Sequence, residues 1–432
     1  MALEATVSTT SATDSSAGAN RQDAIDVDAV RAKFPGLPKE TALLNNASGT
    51  VVLGDAINAA SRLMQSILMP PGSDLKSMEA ISAYVSNKET VAGFLNAGVD
   101  EITFGQSTTC LFRLLGLSLK QLLASDCEII CSTLNHEALA SAAIHLARDL
   151  GVTIKWWSPS QDEPDDPCLS VSTLKPLLTP RTRIVACNHV SNVVGTIHPI
   201  RDVARAVHAI PGCMLMVDGV AFAPHRPVDV KALEVDFYCF SWYKAFGPHF
   251  ATLYASRRAQ DRYMTSLGHF FVPSTSLDGK LGLGMPSFEM QSMCGPIVRH
   301  LEDAVGWDAI VRQETLLADI VLGHLLSKPA VYRVFGRPTS SPQQRVSIIS
   351  FEVRGCGSGE VVALMGSRNR FRVIAGECLA PRPTWDVLKP ESVDGLLRVS
   401  IVHYNTVKEM EGFCRELDHV VAQVQSSTKV NS

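Results

Sequence analysis

The 432-residue sequence lacks any long apolar run: the longest, Cys213 to Ala223, is cut at Asp218 and Gly219, well short of the roughly 18 residues that a bilayer span needs. A membrane helix is thereby excluded. Charge is scarce at 19%, and the 39 Lys and Arg stand against 43 Asp and Glu without forming a basic stripe. Nothing here would neutralise a row of phosphates, which argues against nucleic acid as a partner. Cysteine is plentiful, but signals of pairing are not. The eleven cysteines are odd in number, contain no C-x-x-C, and include Cys131 and Cys187 inside apolar runs, where a thiol acts as a small hydrophobe. Reduced thiols in a cytoplasmic protein are the expectation. A metal motif is missing too: His136-Glu137 opens a helical pattern, but Ala140 stands where a zinc-protease helix needs its second His. No internal repeat is visible. Residues 1–24 are rich in Ser, Thr and Ala, fit neither a secretory signal nor an Arg-rich transit peptide, and read as a disordered tail.

What is present is core-forming material, with 46% apolar residues. From about Glu101 onward, β-rich runs at 102–104, 128–131, 152–156, 183–187, 214–217 and 236–240 alternate with helical patterns. That alternation predicts an α/β fold with a mostly parallel sheet covered by helices, and the near-continuous apolar strands suit a sheet buried on both faces. Ile200, Val203, Ala204 and Val207 fall on one helical face. After Gly295 the pattern changes: a long helical stretch, 297–326, is interrupted at Gly306, and strands follow near 346–351 and 396–400. A last helix carries Met410, Phe413, Leu417, Val420, Val421 and Val424 on one side. The expected organisation is an N-terminal arm at 25–50, a large domain at 51–295 and a smaller C-terminal α+β domain at 296–425.

Polar residues punctuate the strand ends. Gly105-Gln-Ser-Thr-Thr109 follows a strand and opens a helix, so Ser107, Thr108 and Thr109 bring hydroxyls to an N-terminus that favours an anion. Taken alone they are an ordinary cap, and Thr109 breaks the G-x-S-x-G pattern of a hydrolase elbow. His136 begins another strand-to-helix turn, as either a capping residue or a ring laid over a flat cofactor. Asn192 and Asp218 follow strands at the carboxyl edge, where open α/β sheets bind ligands, yet either also serves as a turn residue. Lys244 sits among Trp242, Tyr243 and Phe246, where burial disfavours its charged form and frees its amine as a nucleophile. A lysine for an aldehyde, an aspartate for a pyridinium nitrogen and a helix N-terminus for a phosphate are together what pyridoxal 5'-phosphate (PLP) requires.

Three consecutive stretches, Ser191-Asn-Val-Val-Gly-Thr196, residues 217–230 and residues 236–248, resemble the motifs of class V aminotransferases and cysteine desulfurases. The likeness runs from about Leu43 to Leu417. It implies a fold-type-I PLP enzyme, usually a homodimer with sites between subunits. Carried over by position, Lys244 matches the lysine that holds the cofactor, Asp218 the partner of its ring nitrogen and His136 the ring-stacking histidine. Thr108 and Thr109 match the phosphate loop, with Ser241 and Tyr243 at the other phosphate positions. Asn192 matches the residue near the cofactor hydroxyl and the substrate carboxylate, and Arg398 the arginine whose fork holds the α-carboxylate.

Departures from the pattern bear on the reaction. Ala221 stands where desulfurases have a Gln, Tyr243 replaces a common His, and Met285 occupies a position where many relatives offer a Thr to the partner's phosphate. Cys378 falls close to the mobile desulfurase cysteine, but Glu377 precedes it and no basic residue flanks it in sequence to stabilise a thiolate. Other stretches, 43–52, 102–115 and 378–390, resemble the decarboxylative aldolases of fungal peptide-toxin biosynthesis. That resemblance implies a reaction in which L-aspartate loses its β-carboxylate and the carbon left behind attacks an aldehyde, free or carried on a peptide, to give a γ-hydroxy amino acid. Phe270, Phe271, Leu379 and Trp385 are candidates for a wall that excludes water, and Arg382 for the second carboxylate. The rivals are a cysteine desulfurase or C–S lyase using Cys378, and an assembly protein that has lost chemistry.

Overall fold

In the computed structural model, residues 25–66 and 75–431 are described. The tail read at 1–24 lies outside them. Seven strands form the central sheet: β1 (Ile102–Gly105), β2 (Glu128–Ser132), β3 (Thr153–Trp157), β4 (Thr182–Asn188), β5 (Met214–Asp218), β6 (Phe237–Ser241) and β7 (Ala251–Ala255). Their order is β1-β7-β6-β5-β4-β2-β3, parallel except for β7, which runs against both its neighbours.

Side chains alternate across this sheet, and both faces are buried. Ile130, Val185, Leu215, Val217, Tyr238 and Phe240 lie in one core, while Ile129, Cys131, Ile184, Ala186, Met214 and Cys239 lie in the other. The second face is covered by α1 (Thr108–Ser118) and α2 (Glu137–Leu150), through Leu111, Leu115, Leu139 and Leu146. The first is covered by α3 (Ile200–His208), whose Ile200, Val203, Ala204 and Val207 are all buried as their spacing demands, and by α4 (Phe288–Arg299). This arrangement sends the carboxyl ends of β4, β5 and β6 to one edge.

The long helical stretch begins earlier than its periodicity suggested. Helix α4 starts at Phe288, passes through residue 295, widens into a π-helical turn at His300–Val305 and stops at Gly306, whose φ of 84° is open to glycine. Helix α5 (Trp307–Leu326) then leads into a four-stranded antiparallel sheet of β8 (Tyr332–Phe335), β9 (Ile348–Val353), β10 (Ile374–Gly376) and β11 (Leu396–Ser400), ordered β10-β11-β9-β8. Against it pack α5, α6 (Ser358–Ser367) and α7 (Val407–Asn431), the last burying Met410, Phe413, Leu417, Val420, Val421 and Val424. The N-terminal arm is woven into this smaller unit: Ala42–Leu43 pairs in parallel with Phe371–Arg372, and the Ser400 N–H donates to the Leu44 carbonyl at 2.7 Å. All eleven cysteines are free thiols, eight of them buried. Among the described residues no helix is long and apolar enough to cross a membrane.

Candidate active site

Asp218 is the last residue of β5, with Asn188 and Cys239 beside it in register. Its Oδ1 accepts from the Val220 N–H at 2.9 Å. Burial raises the carboxyl to about 6, against the pull of the Lys244 charge. One strand over, β6 ends at Ser241 and the chain turns through a single 3-10 coil, Trp242–Lys244. That turn is clamped from outside: the Thr50 N–H donates to the Tyr243 carbonyl at 2.9 Å, and the Phe246 N–H donates to Thr50 Oγ1 at 2.8 Å. The clamp holds Phe246 at φ 65° and drives Lys244 inward, where it is 8% exposed. Burial, reinforced by the neighbouring Arg398 charge and opposed by Asp218 and Cys378, lowers its amine to about 8. A substantial neutral fraction therefore exists near neutral pH, as a nucleophile or general base requires.

At the start of α1, Ser107 spends its hydroxyl on the Cys110 N–H at 3.1 Å, so the ordinary capping reading holds for it. Thr108 is buried, and its Oγ1 is hydrogen-bonded to Ser241 Oγ, which ties the helix N-terminus to the end of β6. Thr109 remains exposed. Tyr243 stacks on His249 at 4.8 Å and 8°, with Lys244 Nζ 5.6 Å from its ring centre. His136 caps α2: its Nδ1 accepts from the Ala138 N–H at 3.0 Å, so the proton of the neutral ring lies on Nε2. Burial first, then Lys244 and Arg398, push this imidazole down to about 3.

Arg398, on β11, is 2% exposed. Its Nη1 donates to the Asn192 carbonyl at 2.9 Å, and its Nη2 to Asn45 Oδ1 at 3.2 Å and Ser48 Oγ at 2.7 Å. These acceptors are all neutral, and burial lowers the guanidinium from its ordinary range. Arg398 Nε and Asn192 Oδ1 are buried with no partner among the described residues. An orphaned guanidinium N–H on a buried cation suits an anionic ligand, and the orphaned Asn192 oxygen beside it awaits a donor. Asn45 and Ser48 went unassigned in the sequence; the only signal there was a polar Asn-Asn-Ala-Ser-Gly-Thr run following an apolar pair.

Residues 376–382 form a strap tied to Asn192 and to the start of α2. Asn192 Nδ2 donates to the Cys378 carbonyl at 3.0 Å, and the Glu137 N–H to the Leu379 carbonyl at 3.1 Å. In space, unlike in sequence, Cys378 has cations near it, for both Lys244 and Arg398 feel it electrostatically. Arg382 is ion-paired with Glu137 and lies 4.6 Å over the Trp156 ring. A second substrate carboxylate would have to compete with or share that pair. Leu379 and Trp385 lie at this rim, 68% and 38% exposed. The other two candidates for the wall, Phe270 and Phe271, are 100% and 70% exposed in the single chain, and their rings pack edge to face against each other. Ala221 is buried in a small apolar cluster with Val190, Val346 and Ile348, so that position offers packing and no polar contact.

Asp218, Lys244, His136, Asn192 and Arg398 thus converge in one chamber, bounded by a hydroxyl-lined helix N-terminus. A buried carboxylate, a buried amine of lowered basicity, a neutral ring and an orphaned donor beside an orphaned acceptor fit PLP and an amino acid. The chamber and the sheet order together define a fold-type-I PLP-dependent enzyme. Residues 43–413 match the family Aminotransferase class-V. The chain is 68% identical to the cysteine desulfurase-like protein ustD of Aspergillus flavus, over 93% of this chain and 92% of that one. It is 54% identical to part of the nonribosomal peptide synthetase-like enzyme fsqF of Aspergillus fumigatus, over 91% of this chain but 26% of that longer protein. Among solved structures, the apo cysteine desulfurase of Thermococcus onnurineus NA1 superposes with a TM-score of 0.81 at 23% identity, covering 92% of this chain and 98% of that one. The chain belongs to the class V aminotransferase family, whose members are PLP-dependent enzymes acting on small amino-acid substrates.

Proposed function

We propose that this enzyme joins L-aspartate to an aldehyde with loss of CO2, giving a γ-hydroxy amino acid. Lys244 Nζ and Asp218 would hold the cofactor at its aldehyde and ring nitrogen, His136 would cover its ring, and Thr108, Thr109, Ser241 and Tyr243 would surround its phosphate, beside the Ser107 cap. When bound, PLP supplies an electron sink conjugated with the amino-acid nitrogen. Arg398 orients the α-carboxylate with its orphaned Nε–H as a donor left to do so, and Asn192 lies beside it with an Oδ1 left to accept from a ligand donor such as the cofactor hydroxyl. Lys244 Nζ, with its lowered basicity, takes the Cα proton and later returns it. The Cβ–carboxylate bond then breaks, CO2 departs, and the electron pair left on Cβ forms the new bond to the aldehyde carbon. One proton, drawn from solvent and distinct from the one that Lys244 moves, ends on the aldehyde oxygen.

The observation that carries this reading is the pinning of Cys378. Its carbonyl is held by Asn192 and the next carbonyl by the Glu137 backbone, whereas a sulfur-accepting cysteine has to travel to its substrate. The 68% identity to ustD and the relative embedded in a nonribosomal peptide synthetase-like enzyme support a role in fungal secondary metabolism on peptide-type products. A homodimer and a cytoplasmic setting belong to the same reading. The second reading, a cysteine desulfurase or C–S lyase, has its own support in the closeness of Cys378 to Lys244 and Arg398. Incubation of the PLP-loaded protein and its Cys378→Ala variant with L-aspartate and an aromatic aldehyde, beside an L-cysteine control, separates the two. Retained γ-hydroxy product and CO2 release in the variant supports the aldol reaction. Sulfide or alanine from cysteine, lost in the variant, with aspartate untouched, overturns it.

A further inference from the structure

The strap over the chamber is held in a backbone conformation that L-residues avoid. Cys378 and Leu379, neither of them glycine, both have φ of 54°. The left-handed region crowds Cβ against the following carbonyl, and two successive residues persist there only where their surroundings over-determine them. Three of the restraints converge on one side chain and its backbone. Glu137 donates its N–H to the Leu379 carbonyl at 3.1 Å, its Oε1 pairs with Arg382 Nη1, and its Oε2 accepts from Ser141 Oγ at 2.7 Å, which fixes the carboxylate's orientation. Trp156 lies under the guanidinium at 4.6 Å. Within the strap and the turn after it, Trp385 Nε1 donates to Glu377 Oε2 at 2.9 Å. Glu137 also follows His136 directly on α2, so a single residue fastens the strap to the helix end that bounds the chamber.

We propose that Glu137 is a positioning residue: through Arg382 it holds the strap closed over the Lys244 chamber, and so decides whether the carbon left by CO2 loss meets an aldehyde or water. The inference rests on the decarboxylative reading above. Protonation of that carbon by water would give alanine and no new carbon–carbon bond, so strap closure is read directly in the product ratio. Asn192 makes the closure responsive to substrate, because the side chain that pins Cys378 is also the one with an oxygen still free for a ligand.

Glu137→Gln removes the charge while keeping the size of the side chain and the backbone bond to Leu379. In the PLP-loaded protein without substrate, amide hydrogen exchange across residues 376–388 should rise about fivefold, the scale expected for losing one partly exposed ion pair. With L-aspartate and benzaldehyde, the ratio of alanine to γ-hydroxy product should rise several-fold while CO2 release is unchanged. The swapped double variant E137R/R382E should restore slow exchange, which loss of a merely structural residue would not allow. Unchanged exchange in E137Q would overturn the latch. A lower aspartate KM with an unchanged product ratio would also overturn it, assigning Arg382 to the second carboxylate instead. Faster exchange in a protein whose wild type releases no CO2 from aspartate would leave the latch standing and reject its role in partition along with the reaction. Arg382→Lys, which keeps charge but loses the planar fork, provides the same exchange readout from the other partner.

Discussion

Lys244 is the residue whose environment most alters its chemistry. A solvated lysine at its ordinary value of 10.5 would be almost wholly protonated at neutral pH, but burial and the Arg398 charge bring this amine to about 8. The sign follows from which form reacts. Only the neutral amine attacks an aldehyde, and a lowered value makes that form available at lower pH. The rate at which apoprotein captures PLP, followed by absorbance, should therefore climb about tenfold per unit below pH 8 and level off above it. A rate still climbing steeply to pH 10 would mean that Lys244 behaves as a solvated lysine. Lys244 and Asp218 were legible in the sequence because each ends an apolar run that could only be a buried strand. Asn45 and Ser48 were not, because what gives them a role is Arg398, some 350 residues away along the chain. Short-range pattern carries no trace of such a pairing. Arg382 was legible as a cation near the site, but its partner Glu137 was not, for the same reason.

The turns after the strands carry the chemistry, and their shape depends on a few backbone positions. The turn that presents Asn192 ends at Gly195, with φ of 74°. A Cβ there would stand 2.4 Å from the Ile348 carbonyl oxygen at the start of β9. Gly195→Ala thus combines a strained conformation with a clash against backbone that has no room to yield. It should destabilise the protein by about 2–4 kcal/mol, in the range of the larger single-residue effects. It should also displace Asn192, raising KM for the amino acid more than it lowers kcat. Thermal melts and steady-state kinetics on the same preparation check both parts; an unchanged KM in a folded variant would show that the turn does not position Asn192. The strands that the apolar runs did point to were placed to within a residue or two, β3 beginning at Thr153 where the pattern suggested 152, but β7, β8 and β10 were not read at all. The π-helical turn at His300–Val305 was not readable, since its hydrophobic spacing is that of the helices on either side.

At the scale of the whole molecule, the chamber is where separate parts of the chain meet, and Arg398 is the crossing point. From the small sheet it reaches Asn192 in the turn after β4 and Ser48 near the N-terminus. Without a ligand this meeting point is electrostatically poor. Lys244 and Arg398 are both buried and each acts on the protonation of nearby groups, while Asp218 is itself pushed toward neutrality. An anionic cofactor would relieve that imbalance, so it should stabilise all three parts together. At PLP concentrations of 100 to 1,000 times Kd, linkage predicts about 3–4 kcal/mol of added stability, and each kcal/mol is worth about 2–4 °C for chains of a few hundred residues. Loading the apoprotein should thus raise Tm on the order of 10 °C, measured by calorimetry before and after cofactor removal. In Lys244→Ala part of the shift should survive, because Asp218, the α1 N-terminus and the Thr108–Ser241 pair still contact the cofactor without a covalent bond. A Tm unmoved by PLP in the wild-type protein would mean that these buried charges are not the cofactor's site, and that the convergence on Arg398 serves the packing of the small unit alone.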